Sequence, residues 1–140
     1  MAIIFQNKYP SKNIPIHKLT SSWLLQAVEE EDYVLGKLSY AFLTDKELHK
    51  INVEFLNHDT FTDIITFDYN RGNIIIGEIY MSLDRIEENA IKNKVTFDLE
   101  FNRILIHGLL HLMGYKDKNS NDKILMTQKE DYYLSLQPQK

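Results

Sequence analysis

The chain is expected to fold as an α+β protein, a small mixed sheet of about four strands packed with helices. Short β-branched and aromatic runs mix with stretches at helical spacing, without the strict alternation of a doubly wound sheet. Two strand-like runs, Ile64 to Tyr69 and Ile74 to Met81, are joined by the turn signal Asn70-Arg71-Gly72-Asn73, so part of the sheet is antiparallel. A length of 140 residues with 44% hydrophobic content suits one core and a single domain spanning the chain.

The elements follow in order. Ala2 to Asn7 reads as a first strand. Pro15 to Glu31 reads as a helix, because Ile16, Leu19, Trp23, Leu24, Ala27 and Val28 fall at helical spacing and proline suits a helix start. Leu35 to Leu43 alternates around Leu38, Tyr40 and Phe42 as a strand does. Thr44 followed by Glu47 is a capping-box pattern that opens a helix through about Leu56. After the hairpin, Ser82 or Asp84 can cap a helix to about Asn93, and Thr96 and Asp98 suit the first turn of the next one. Asn119 to Asp122 is a polar break before a last helix, from about Asp122 to Leu136, ending near Pro138.

Composition narrows the function. With no cysteine there is no disulfide, thiolate zinc ligand or cysteine nucleophile, which is compatible with a reducing cytoplasm. The N-terminal stretch lacks the apolar run of a secretory signal, and no run approaches the roughly 20 residues that span a bilayer. The expectation is a soluble cytoplasmic protein with no membrane partner. A net charge of −4 means that any RNA is met through a local basic patch, a partner protein or a transient encounter.

The chemistry concentrates in one segment, His107-Gly108-Leu109-Leu110-His111-Leu112-Met113-Gly114-Tyr115-Lys116-Asp117. Histidines at i and i+4 lie on one helix face and can present two imidazole nitrogens to one ion. Gly114 can adopt the left-handed conformation that ends a helix, returning the chain so that Asp117 approaches the same ion. Two imidazoles and a carboxylate suit Zn2+, or another divalent transition metal, and leave a coordination position open for water. A pair of hydrogen-bonded core histidines is the plainer alternative, and the glycine and third donor weigh against it. Gly108 stands where the helix of zinc peptidases carries its glutamate base, which steers the reading away from peptide hydrolysis.

These blocks resemble the YbeY family of rRNA maturation factors, whose hallmark HGxLHLxGYDH is followed through Tyr115. Leu56-Asn57 with Thr62-Asp63-Ile64-Ile65-Thr66-Phe67 resembles a second family block, and Gly77-Glu78-Ile79-Tyr80-Met81-Ser82 a third. The resemblance implies a metal-dependent endoribonuclease specific for single strands, of zinc-peptidase-like architecture, with the metal-binding helix in the core. It implies a role in rRNA maturation (16S rRNA 3′ end processing) and ribosome quality control. The implied partners are rRNA within ribosomal particles and a ribosomal or ribosome-associated protein.

Two departures stand out. The family's third histidine is Asp117 here, and an anionic ligand makes the metal a weaker Lewis acid. The family's arginine between the LN and TD blocks is missing, since only His58-Asp59-Thr60-Phe61 fills that gap. Arg103, one turn before His107, is a candidate replacement, with a salt bridge to a carboxylate such as Glu100 as its plain alternative. Asp63 and Glu78 are the remaining catalytic candidates, Glu78 because a charge in an apolar strand needs a partner or a cleft. A metallopeptidase or amidase would need a base such as Glu78 or Asp63. A structural metal would need a fourth ligand, for which His58 or Asp122 is available.

Overall fold

The structure, a computed structural model, describes residues 2–137; Pro138, the expected end of the last helix, lies outside them. The elements are β1 (Ala2–Asn7), α1 (Thr20–Glu30), β2 (Val34–Leu43), α2 (Asp45–Leu56), β3 (Ile64–Asp68), β4 (Ile74–Ser82), α3 (Leu83–Asn93), α4 (Phe97–Leu112) and α5 (Ser120–Ser135). The four strands form one mixed sheet in the order β1-β2-β4-β3, as the α+β expectation requires. β1 and β4 run parallel to β2, and β3 closes the edge as the antiparallel partner of β4.

Strand period sorts the side chains onto two faces. Leu38, Tyr40 and Phe42 of β2 and Ile75, Ile79 and Met81 of β4 point to one face. There they meet Trp23 and Leu24 of α1, Ile86 of α3, Phe101, Leu105 and Leu109 of α4, and Met126 and Tyr133 of α5. The intervening residues Ala41, Leu43 and Ile65 point to the other face, where Leu48 of α2 covers only one end of the sheet.

The helix starts follow local chemistry. Thr44 and Glu47 form the complete capping box of α2. Ser82 caps α3 by accepting from the Arg85 amide, and Thr96 caps α4 by accepting from Leu99. The first helix departs from expectation, beginning at Thr20 rather than Pro15. The His17 ring accepts the Leu19 amide at 3.2 Å and Thr20 Oγ1 accepts the His17 amide at 3.1 Å, so this stretch closes into a side-chain-bonded turn instead.

Two glycines set how closely α4 approaches the sheet. A Cβ on Gly77 would stand 2.7 Å from Leu112 Cδ1 and 3.1 Å from the Phe67 carbonyl oxygen. On Gly108 it would stand 2.8 Å from Ile64 Cδ1 and 3.1 Å from two carbons of Ile79. Gly108 therefore faces the sheet, and a glutamate there would force a carboxylate between two isoleucines. Among the described residues no helix is long and apolar enough to cross a membrane. Gly108→Glu is expected to cost more than about 3 kcal/mol, by overpacking and by burying an unpaired charge. Urea denaturation measures it, and wild-type stability in that variant would contradict this packing.

Candidate metal centre

His107 and His111 lie one turn apart near the end of α4, on a flank of the helix beside the face that Gly108 lays on the sheet. Beyond Leu112 the chain turns back. Gly114 takes φ +95°, and the Tyr115 amide donates to the Leu110 carbonyl at 3.0 Å, a Schellman-type closure. Side chains from elsewhere hold the same end: Asn70 Nδ2 donates to the Leu112 carbonyl at 2.7 Å and the Tyr33 hydroxyl to the Met113 carbonyl at 3.1 Å. Asp117 is thereby delivered to the histidines.

The three donor atoms form a compact triangle. His107 Nε2 and His111 Nε2 are 3.0 Å apart, and Asp117 Oδ2 lies 3.4 Å from each. Tetrahedral coordination at zinc bond lengths of about 2.0–2.1 Å separates ligand atoms by roughly 3.3 Å, so the triangle fits such an ion without rearrangement. Among the described residues His107, His111 and Asp117 alone form such a group, with neither His58 nor Asp122 as a fourth member.

The ring orientations are set from behind. His107 Nδ1 lies 2.5 Å from Glu130 Oε2, and His111 Nδ1 lies 3.0 Å from the Tyr115 carbonyl oxygen. Both partners are acceptors, so both Nδ1 atoms carry the proton and both Nε2 lone pairs turn inward. Two lone pairs 3.0 Å apart repel unless a cation or a shared proton lies between them. Burial pushes the His107 imidazolium pKa down, but the hydrogen bond and charge of Glu130, aided by Asp117 and Asp63, outweigh it and the net direction is up.

Glu130, on α5, is 6% exposed and is the residue that sequence reasoning missed. Its other oxygen accepts from Arg103 Nη1 at 2.7 Å, while Arg103 Nη2 donates to Asp131 at 2.6 Å. Arg103 thus pairs with two α5 carboxylates rather than with Glu100. α5 is in turn tied to the end of α1: Glu31 accepts from Tyr115 at 2.6 Å, from Lys129 at 3.0 Å and from the Tyr133 hydroxyl. One carboxylate so anchors the loop whose carbonyl orients His111 and the helix whose Glu130 orients His107.

Asp63, just before β3, is half-buried. Its Oδ2 accepts from Asn89 at 3.1 Å, and its carbonyl accepts from the Ser82 amide at 3.0 Å. Burial raises its pKa, and the charge of His107, the Asn89 hydrogen bond and Arg85 only partly offset this. Ile64, the next residue, packs against Gly108 beside His107, which puts Asp63 in the surroundings of the triangle, where its charge helps raise the His107 pKa. The structure does not bring Glu78 there. Ile79 and Gly77 face α4, so Glu78 between them points to the opposite side of the sheet, where Tyr80 donates to it at 3.4 Å.

Fold and site together define a class: proteins in which two histidines of one helix and a third donor beyond a glycine turn could hold a metal ion. The chain belongs to the YbeY family, whose profile, described as endoribonuclease YbeY, matches residues 4–137. Endoribonuclease YbeY of Flavobacterium johnsoniae is 48% identical over 116 residues, 83% of this chain and 84% of that protein. That of Azobacteroides pseudotrichonymphae is 38% identical over 137 residues, 96% of each chain. The solution structure of TM1509 from Thermotoga maritima matches with a TM-score of 0.68 at 30% identity, covering 96% of this chain and 87% of that one.

Because protons and metal compete for the same Nε2 atoms, zinc affinity is expected to fall on acidification. The raised His107 pKa places the start of that fall above the ordinary histidine value near 6.5. Glu130→Gln, which keeps the hydrogen bond but removes the charge, should weaken zinc about tenfold and move the fall to lower pH. Chelator competition across pH checks both, and an unchanged profile in the variant would refute the role given to Glu130.

Proposed function

We propose that the protein is a metal-dependent endoribonuclease that cuts single-stranded RNA during rRNA maturation, with one zinc ion held by His107, His111 and Asp117. The observation that carries this reading is the triangle of two Nε2 atoms and one carboxylate oxygen, all three side chains partly exposed. Family membership supports RNA as the substrate class. The proposal extends to 16S rRNA 3′ end processing and ribosome quality control in the cytoplasm, on ribosomal particles and with a ribosomal or ribosome-associated protein as helper.

Zinc is favoured by the donor set, although other divalent transition metals accept it too. A divalent ion there supplies Lewis acidity toward a phosphoryl oxygen and lowers the pKa of water. The chain's own residues do the rest. His107 and His111 present neutral Nε2 atoms, and Asp117 adds a negative charge that moderates the ion's acidity. The Asp63 carboxylate accepts the proton of the attacking hydroxyl, and its burial suits it to proton transfer nearer neutral pH. Arg103 acts through Glu130, holding the carboxylate that holds His107, which is a positioning role. Phosphodiester cleavage rests mainly on positioning and charge stabilisation, so no glutamate is required at the place of Gly108.

Metal-loaded protein is expected to cut single-stranded RNA oligonucleotides and to leave casein intact, with His111→Ala inactive on RNA. Casein cleavage without RNA cleavage would instead favour a metallopeptidase. Asp63→Asn should lower kcat by about 10²–10⁴-fold. A base must be unprotonated, so the wild-type rate should fall as pH drops through the raised Asp63 pKa. That acid limb should vanish from the pH–rate profile of the variant.

A further inference from the structure

Glu78 is left over by the metal centre, and its surroundings are unusual. Four helices cover one face of the sheet, while α2 covers only one end of the other. The rest of that second face is a groove running from Gln6 and Lys8 across Lys37 and Ser39 to Glu78 and Tyr80. It continues past Glu78 and Tyr80 into a pocket walled by Phe55 of α2 and by Phe67 and Tyr69 from the β3 side. Phe55 is 63% exposed and Tyr69 55%, so both rings offer open faces. Beneath them Phe67 meets Phe55 and Tyr80 edge-on, at 6.3 and 5.7 Å between centroids, which holds the rings in orientation.

The charges in the groove are unmatched among the described residues. Among the described residues neither Lys8 nor Lys37 is in an ion pair, and Glu78 has only the long hydrogen bond from Tyr80. A fitting ligand therefore carries anionic groups, N–H donors and flat aromatic surfaces together. Nucleotides of a single strand have all three, and an open four-stranded face with aromatic rings is a known way of stacking splayed bases. β3 links this face to the metal centre, since Ile64 packs under Gly108 while Phe67 and Tyr69 face the groove.

Resting on the endoribonuclease reading, we propose that this second sheet face binds a single-stranded segment of the RNA outside the cleavage site. Bases stack on Phe55 and Tyr69, phosphates meet Lys8 and Lys37, and Glu78 reads a base edge. Guanine suits Glu78, because its ring N–H and amino group are adjacent donors that match the two oxygens of a carboxylate.

The test compares cleavage by the metal-loaded full chain of a long single strand and of an oligonucleotide too short to leave the metal centre. Tyr69→Ala and Phe55→Ala should each raise KM for the long RNA about fivefold or more at unchanged kcat. Lys37→Glu should raise it too, more strongly at low salt. Kinetics on the short oligonucleotide should not change. Glu78→Gln should erase a preference for guanine over uracil in long strands. An unchanged KM for the long RNA in all the variants, or an equal rise on the short one, overturns the inference. RNA cleaved by the wild type with variants unaltered sinks this inference alone, whereas a wild type that neither cuts nor binds RNA sinks the endoribonuclease reading with it. The aromatic positions are more than half exposed, so their truncation leaves the core intact.

Discussion

The structure depends on the close seating of α4 against the sheet. Where Gly77 and Gly108 bring helix and strands together, any side chain would push them apart. Ile79 and Leu112 at this contact are buried and Ile64 partly so, and their packing fixes the helix about its own axis. With that rotation fixed, the two histidines fall on one flank of the helix, roughly 60–100° around its axis from Gly108. The C-terminal end of the helix is held equally firmly by Asn70, Tyr33 and the Gly114 turn, so Asp117 arrives in register with them.

The centre is an electrostatic problem solved from outside inward. Two imidazoles whose lone pairs converge are stable only with a positive charge between them, and the protein enforces that convergence through Glu130 and the Tyr115 carbonyl. Glu130 is a buried charge, and Arg103 compensates it. Arg103 is in turn shared with Asp131 at the surface. This chain runs from solvent to the histidine pair and gives the arginine one turn before the first histidine two carboxylate partners on α5.

Local signals carried far. Thr44, Ser82 and Thr96 each cap the helix that follows them, because capping involves only the next three residues. The histidine pair and Gly114 were legible for the same reason. Glu130 was not, because its bond to His107 spans 23 residues and depends on how α5 lies across α4. Nothing near it in sequence distinguishes it from a surface glutamate of a polar helix. Glu78 shows a subtler limit. Strand period separates it from Ile79, but only the packed structure reveals which face α4 occupies. The helix α1 begins later than its apolar spacing implies, because that spacing continues through Ile16 while the backbone is diverted by the His17–Thr20 turn.

The central claim is that two histidine nitrogens and one aspartate oxygen hold a single ion with a position left open. X-ray absorption on the zinc-loaded protein, compared with Asp117→Ala, measures this directly. The account predicts one zinc per chain with two imidazole nitrogens and light oxygen donors at about 2.0–2.1 Å, one of them exchangeable. Replacing Asp117 should remove a protein oxygen and leave both imidazoles in place. A spectrum showing four non-exchangeable protein ligands, or one unchanged by loss of Asp117, would contradict it.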